Sequence, residues 1–233
     1  EDGLMAKRNL KFLPDRYVVL SQDMKHWVKS NFSHIKTEMI PNGVDFSRFN
    51  INVEPVELNF ERPIFLSAGR YYPNKRLELA IDAVSQLEKG SLIILSTGCN
   101  LEKLRDYGKQ RLGNRFHLDT VAYNKIPGYY KACDVFTLPS EKEPFGLVYL
   151  EAMACNKPVV APLDESRKEI VGNAGVLCNV TNIDEYANAL KYASEHNFEN
   201  IPLLQAKKYS LDETALKYKR LFMQVLADKK IGF

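Results

Sequence analysis

The chain has 233 residues, 45% of them hydrophobic and 26% charged, and a formal net charge of +3. That is an ordinary composition for a soluble globular protein, with room for one large domain or for one domain plus part of another. The slight positive balance gives no ground for a nucleic-acid partner, and no apolar stretch reaches the ~20 residues of a membrane span.

The chain opens "EDGLMAKRNL", without an initiator Met or a signal-peptide pattern, so a piece of a longer protein is expected. "RYVVLS" (16–21) predicts a strand and "QDMKHWVKSNF" a helix. "KTEMIPNGVDFSRF" predicts a second extended stretch broken by turn chemistry at Pro41-Asn42-Gly43. One strand and one helix cannot bury a core alone. Residues 1–48 therefore read as the last strand and helix of a preceding domain plus a linker.

From residue 60 the pattern becomes regular. Short β-rich apolar runs stand at 63–69, 91–97, 115–119, 134–139, 158–163 and 175–180. Helical spacing fills most of the gaps: in "NKRLELAIDAVSQLEKG", Leu77, Ala80, Ile81, Val84 and Leu87 recur at steps of three and four, and Gly90 closes the segment. The same spacing runs through "NLEKLRDYGKQRL", "KIPGYYKAC", "FGLVYLEAMAC" and "NIDEYANALKYASEH". Strands that are apolar on both faces and alternate with helices predict an α/β fold, a Rossmann-like doubly wound parallel sheet, over 49–210. Residues 211–233 are expected to form a closing helix, with Asp212 and Glu213 in its first turn and lysines at its end, as the helix dipole favours.

The four cysteines lie far apart without a CxxC pair, so no metal-ligand spacing is present; buried thiols in a reducing cytoplasm are expected. "MKHWVKSNF" (24–32) and "LKYKRLFMQVLADKK" (216–230) mix basic and apolar residues. They leave open a peripheral contact at the cytoplasmic face of a membrane; an ordinary amphipathic helix is the simpler account of both.

In open parallel sheets, ligands bind outside the carboxyl ends of the strands. After the first main strand come Gly69 and Arg70, then Lys75 where the next helix is expected to begin. A small residue admits close backbone approach, and two cations near a helix start suit an anion; a plain turn with two solvated charges is the alternative. After the second strand, Gly98 makes a turn that lines a ligand or merely reverses the chain. The fourth strand leads into "EKEPFGLVYLEAM", where Pro144 and Gly146 keep the chain off helical geometry before the helix starts. On a continuous helix Glu143 and Glu151 would lie about 12 Å apart along the axis, too far to grip one atom. They can bracket an elongated ligand, with the amides of Gly146 and Leu147 facing an anion between them. Carboxylates accept hydrogen bonds from hydroxyls, so sugar, diphosphate and ribose in a row suggest a nucleotide sugar. A helix-start acid and a surface residue remain the plain alternatives for the two carboxylates.

Taken together, "IPNGVDFSRF", "AGRYYPNKRLELAIDAV", the Gly98 turn, "YYKACDVFTLPSEKEPFGLVYLEAMACNKPVVAP", "EIVGNAGVLCNV" and "KKYSLDETA" resemble retaining glycosyltransferases of the GT-B fold, family 4 or group 1. The resemblance spans residues 16–230 and includes the E-x7-E element formed by Glu143 and Glu151. It implies that this is chiefly the C-terminal, donor-binding half of a GT-B fold. It implies that Arg70 and Lys75 hold the donor diphosphate and neutralise the leaving group. Glu143 would bind hydroxyls of the donor sugar and Glu151 those of the ribose. Phe145, Gly146 and Leu147 would present amides to the sugar and β-phosphate, and the nucleobase would lie near Val121–Ile126. The donor would be a UDP- or GDP-sugar and no metal or other cofactor would be needed. The acceptor stays open among lipid-linked sugars, polysaccharides and small molecules. Most of the family's N-terminal domain is missing from these residues; it would stand on the same or another chain, and without it transfer should be poor. The other readings kept open are a GT-B-fold nucleotide-sugar epimerase and a non-catalytic nucleotide-sugar-binding module.

Overall fold

The structure, a computed structural model, describes residues 7–12 and 14–230, which fall into two compact units. One unit combines the residues up to Gly43 with those from Tyr209 onward, and the other spans Val44–Lys208.

In the first unit, β1 (Tyr17–Val19) leads through α1 (Gln22–Asn31) to β2 (Thr37–Met39), and the two strands pair in parallel with Tyr17 opposite Thr37. Ser21 starts α1 by accepting a hydrogen bond from the Met24 amide, with Asp23 in the first turn and Lys29 in the last. Leu10, Val19, Val28 and Ile35 make the core of this unit, and Met24, Trp27 and Phe32 pack against it. The apolar side of the 24–32 stretch is thus turned inward.

The second unit is built on a six-stranded, wholly parallel sheet. Its elements in chain order are β3 (Ile64–Ala68), α2 (Leu77–Ser85), β4 (Ser91–Leu95), α3 (Leu101–Leu112), β5 (Phe116–Asp119), α4 (Ile126–Ala132), β6 (Val135–Thr137) and α5 (Leu147–Ala154). They continue with β7 (Val159–Pro162), α6 (Glu165–Val171), β8 (Gly175–Cys178), α7 (Ile183–Glu195) and α8 (Ile201–Ala206). Every residue of β3, β4, β6 and β7 is buried, the signature of strands covered by helices on both faces. Helix α2 buries Leu77, Ala80, Ile81 and Val84 and packs against α3 and α7, whereas α5 packs against α4, α6 and α8. Leu87 falls beyond the end of α2 at Ser85 and is only half-buried.

The strand order is β5-β4-β3-β6-β7-β8. The chain winds outward from β3 to one edge, returns to β6 beside β3, and winds to the other edge. This is the doubly wound arrangement expected from the sequence, and its switch point lies between β3 and β6.

Helix α9 (Leu211–Lys230) closes the chain and belongs to the first unit, where Asp228 pairs with Arg16 at 2.6 Å and Thr214 donates to the Pro41 carbonyl at 3.0 Å. Residues 231–233 of the expected closing segment lie outside the described residues. Among the described residues, no helix is long and apolar enough to cross a membrane.

Candidate functional site

The carboxyl ends of β3 and β6 meet at the switch point, and the loops that follow them carry most of the side chains singled out in the sequence. Beyond β3 the backbone stays zipped to the tail of β4: Gly69 N–H donates to Leu95 O at 3.0 Å and Tyr71 N–H to Thr97 O at 2.8 Å. The Ser96 hydroxyl donates to the Gly69 carbonyl at 2.7 Å. Gly98 turns the chain against this tail with a φ of +130°, and a Cβ there would stand 3.1 Å from the Tyr71 carbonyl.

Lys75 does not open α2, as the sequence had suggested. It ends a separate 3₁₀ turn, Pro73–Lys75, and Arg76 then takes a left-handed conformation at φ 49° before the helix starts at Leu77. The reason lies in the neighbouring loop. The Arg76 Nε donates to the Pro139 carbonyl at 2.9 Å, and the Glu141 amide donates to the Asn74 carbonyl at 2.7 Å. These two bonds tie the loop after β3 to the loop after β6.

Across that seam the Lys75 ammonium donates to Glu143 Oε2 in an ion pair whose side chains are only 17% and 14% exposed. A cation read as a diphosphate ligand and a carboxylate read as a sugar ligand, 68 positions apart, are therefore in direct contact. Arg70 is exposed, with its guanidinium carbon 5.1 Å from the centre of the Tyr72 ring, a cation–π contact. Among the described residues the structure brings it into no ion pair with either carboxylate.

The loop after β6 reaches α5 through buried Phe145 and through Gly146. Gly146 has a φ of +87°, and a Cβ there would lie 2.6 Å from carbons of the Tyr149 ring, so glycine is required both by conformation and by space. It caps the helix, which begins at partly exposed Leu147, so the amides at the helix start face away from any intrahelical acceptor. Residues 143–146 are not helical, and the axial spacing of a continuous helix does not apply between Glu143 and Glu151.

Glu151 lies on α5, partly buried, and accepts a hydrogen bond from the Tyr130 hydroxyl at 2.8 Å. Burial pushes its carboxyl above the ordinary 4.5, while the Tyr130 bond and the charge of Arg48 pull the other way. Tyr130 is fully buried, and its own ionisation is pushed well up by burial and by the neighbouring carboxylate.

Three supporting residues escaped the sequence reading. Tyr130 sits within "KIPGYYKAC", where helical spacing marks it only as core. Arg48 stands in "IPNGVDFSRF", legible only as a turn region. Arg167, 2% exposed, binds Asp164 at 2.6 Å and donates to the Ser140 carbonyl at 3.2 Å, bracing the loop that carries Glu143 from beneath. Nothing in a surface-like "DESRK" announces a buried arginine.

Of the cysteines, Cys133, Cys155 and Cys178 are buried, with thiols pushed up to about 12 by burial, and Cys99 is exposed. Among the described residues, no group of three or more His, Cys, Asp or Glu side chains is arranged to hold a metal ion.

Residues 49–209 match the family described as Glycosyl transferases group 1. An uncharacterized glycosyltransferase of Methanocaldococcus jannaschii is 30% identical over 223 residues, covering 85% of this chain and 57% of that protein. The GDP-mannose-dependent alpha-(1-6)-phosphatidylinositol monomannoside mannosyltransferase of Mycolicibacterium smegmatis is 29% identical over 175 residues, covering 66% of this chain and 46% of that protein. Among solved structures, sucrose-phosphate synthase of Thermosynechococcus elongatus superposes with a TM-score of 0.76 at 24% identity, covering 92% of this chain and 59% of that one. That last likeness speaks for the fold alone, and it agrees with the expected GT-B type of α/β sheet. The chain spans about half of the length of the proteins it matches.

Proposed function

The chain belongs to the group 1 glycosyl transferases, and from that premise we propose that its second unit carries the donor site for a nucleoside-diphosphate sugar. The observation that carries this reading is the Lys75–Glu143 ion pair at the switch point, beside the amide-bearing start of α5. A cation, a carboxylate and a helix start at the carboxyl edge offer partners for the three chemical parts of such a donor.

In this reading the donor's diphosphate attracts Lys75 away from Glu143. The freed Glu143 carboxylate then accepts hydrogen bonds from hydroxyls of the transferred sugar. Amides of Phe145, Gly146 and Leu147 face the sugar and β-phosphate, and Glu151 accepts from ribose hydroxyls. Arg70, exposed beside Tyr72, swings onto the diphosphate as negative charge builds on the leaving group. Positive charge brought to that point lowers the barrier of sugar transfer, because the departing diphosphate is the group that gains charge. The sugar passes to an acceptor hydroxyl with retention at the anomeric carbon; the donor is a UDP- or GDP-sugar, and the mannosyltransferase relative's name favours including GDP-mannose in any trial. No metal is assigned a part.

The test is calorimetric titration of the chain with UDP, GDP and their sugars, followed by a product assay on the longer protein with radiolabelled donor. A nucleotide that binds, and whose affinity falls in Glu151→Ala by about 1–3 kcal/mol, the cost of a lost charged hydrogen bond, supports the proposal. Absence of binding by every nucleotide sugar, or conversion of the nucleotide sugar itself without transfer, overturns it.

A further inference from the structure

The turn that opens the second unit presents two side chains toward the ribose carboxylate and the loop after β5. Asp45 builds this turn: its carboxylate accepts from the Ser47 amide at 2.9 Å and from the Ser47 hydroxyl at 2.6 Å, and its carbonyl accepts from the amides of Arg48 and Phe49. The bonds from Ser47 hold the Asp45 carboxyl below its ordinary range, so the turn stays intact through neutral pH.

From this base, buried Phe49 packs edge-on against Tyr130, with ring centres 5.8 Å apart, and Tyr130 is the donor to Glu151. Arg48 reaches the other way. Its guanidinium carbon lies 3.8 Å from the centre of the Tyr123 ring and its NH2 group donates to the Tyr123 carbonyl at 3.3 Å. Tyr123 heads a short 3₁₀ turn, Tyr123–Lys125, and is 57% exposed. An open pocket of about 410 Å³ beside the turn is bordered by Arg48, Glu54, Val56 and Lys125. A planar cation stacked on the ring and bonded to the carbonyl of the same residue fixes both the ring and the backbone. The charge of Arg48 also acts on Glu151, and among the described residues Tyr130 on α4 and Cys155, just past the end of α5, interact with the same carboxylate.

We infer that Arg48 is a positioning residue of the donor site: it clamps the Tyr123 loop while its neighbour Phe49 packs on the tyrosine that binds Glu151, so that the ribose-binding carboxylate and the loop beyond it act as one preformed wall. This rests on the donor-site reading above and adds a residue from outside the β3 and β6 loops. The two parts of the role separate by substitution. Arg48→Gln removes the charge and the stack, whereas Arg48→Lys keeps the charge and loses the planar clamp.

The experiment combines calorimetry of the 233-residue chain with UDP, GDP and ADP and a carbon-13 NMR titration of the Glu151 carboxyl without nucleotide. Arg48→Gln is expected to weaken the bound nucleotide about tenfold. It should also move the Glu151 titration, and with it the acid limb of the binding profile, to higher pH. Arg48→Lys should restore the titration to the wild-type position and recover only part of the affinity. Thermal unfolding of both variants checks that the fold is kept. A purely structural residue would leave the Glu151 titration where it was. If wild type binds a nucleotide while Arg48→Gln matches it in affinity and in Glu151 titration, the role assigned to Arg48 is overturned alone. If wild type binds none of the three, the donor-site reading falls and this role with it.

Discussion

Glu151, proposed to bind the ribose, is also a side chain whose burial costs stability at neutral pH. Its folded titration lies above the ordinary 4.5 because burial penalises the carboxylate. Stability from this group is therefore fully present below 4.5 and is lost as pH rises through the folded value, since the folded state there holds a proton that the unfolded chain releases. At neutral pH the ionised form is a cost, tolerated because the Tyr130 hydroxyl and the Arg48 charge relieve part of it. Glu151→Gln keeps the shape and an acceptor for Tyr130 but cannot ionise. It should raise the melting temperature of the ligand-free chain at neutral pH while weakening nucleotide binding. Equal melting temperatures and equal affinity would remove both the strain and the ribose role. Arg70 gives the complementary case: exposed and, among the described residues, resting on Tyr72, it adds little to the folded state, so Arg70→Ala should leave the melting temperature almost unchanged. Turnover by the intact enzyme should nevertheless fall by roughly 10²–10³, the effect of removing one charge-stabilising donor. Steady-state kinetics at saturating donor checks this, and unchanged turnover would dismiss Arg70 from the chemistry.

At the scale of elements, the loop from Leu138 to Gly146 depends on a few bonds from outside it. The buried Tyr149 hydroxyl donates to the Leu138 carbonyl at 2.7 Å, Arg167 holds the Ser140 carbonyl, and Arg76 holds that of Pro139. Gly146 completes the loop in a conformation that a side chain opposes by both φ and contact with Tyr149. Gly146→Ala should therefore destabilise the chain by about 1–3 kcal/mol, the usual cost of strain at such a position, measured by urea unfolding. Donor affinity should fall as well, because the displaced ring shifts the start of α5. The long elements were legible in the sequence: the all-apolar runs of β3 and β4 and the spacing of Leu77, Ala80, Ile81 and Val84 in α2 leave few alternatives. The short helices α6 and α8, of seven and six residues, were not read, although α4 of the same length as α6 was. In the site, the two carboxylates and the glycine between them could be read from local spacing. The Lys75–Glu143 contact and the bracing by Arg48 and Arg167 could not, because each joins residues that only the sheet topology brings together. The start of α2 was misplaced for the same reason: the Arg76 bond to Pro139, made across the seam, accompanies a left-handed residue where the sequence suggested an unbroken helix.

At the scale of the whole molecule, binding and transfer should come apart. The lysine, the two carboxylates and the amide-bearing helix start proposed to hold the donor all lie within Val44–Lys208, so the proposal places nucleotide recognition in that unit. Transfer has a further requirement, an acceptor hydroxyl held in line with the anomeric carbon and sheltered from water, and much of its rate advantage comes from that placement. The chain spans 57% of its Methanocaldococcus relative and 46% of its mycobacterial one, so about half of each relative lies beyond the region shared with this chain. The 233-residue chain is therefore expected to be stabilised by its nucleotide, by about 2.7 kcal/mol at a concentration a hundredfold above Kd. With radiolabelled donor and a panel of lipid-linked sugars, polysaccharides and small-molecule acceptors, it should form product far more slowly than a longer version that supplies the rest of the relatives' length. Thermal shift and product assay on the same two preparations make the comparison direct. Full transferase activity from the 233 residues would place the acceptor site inside them and overturn the separation.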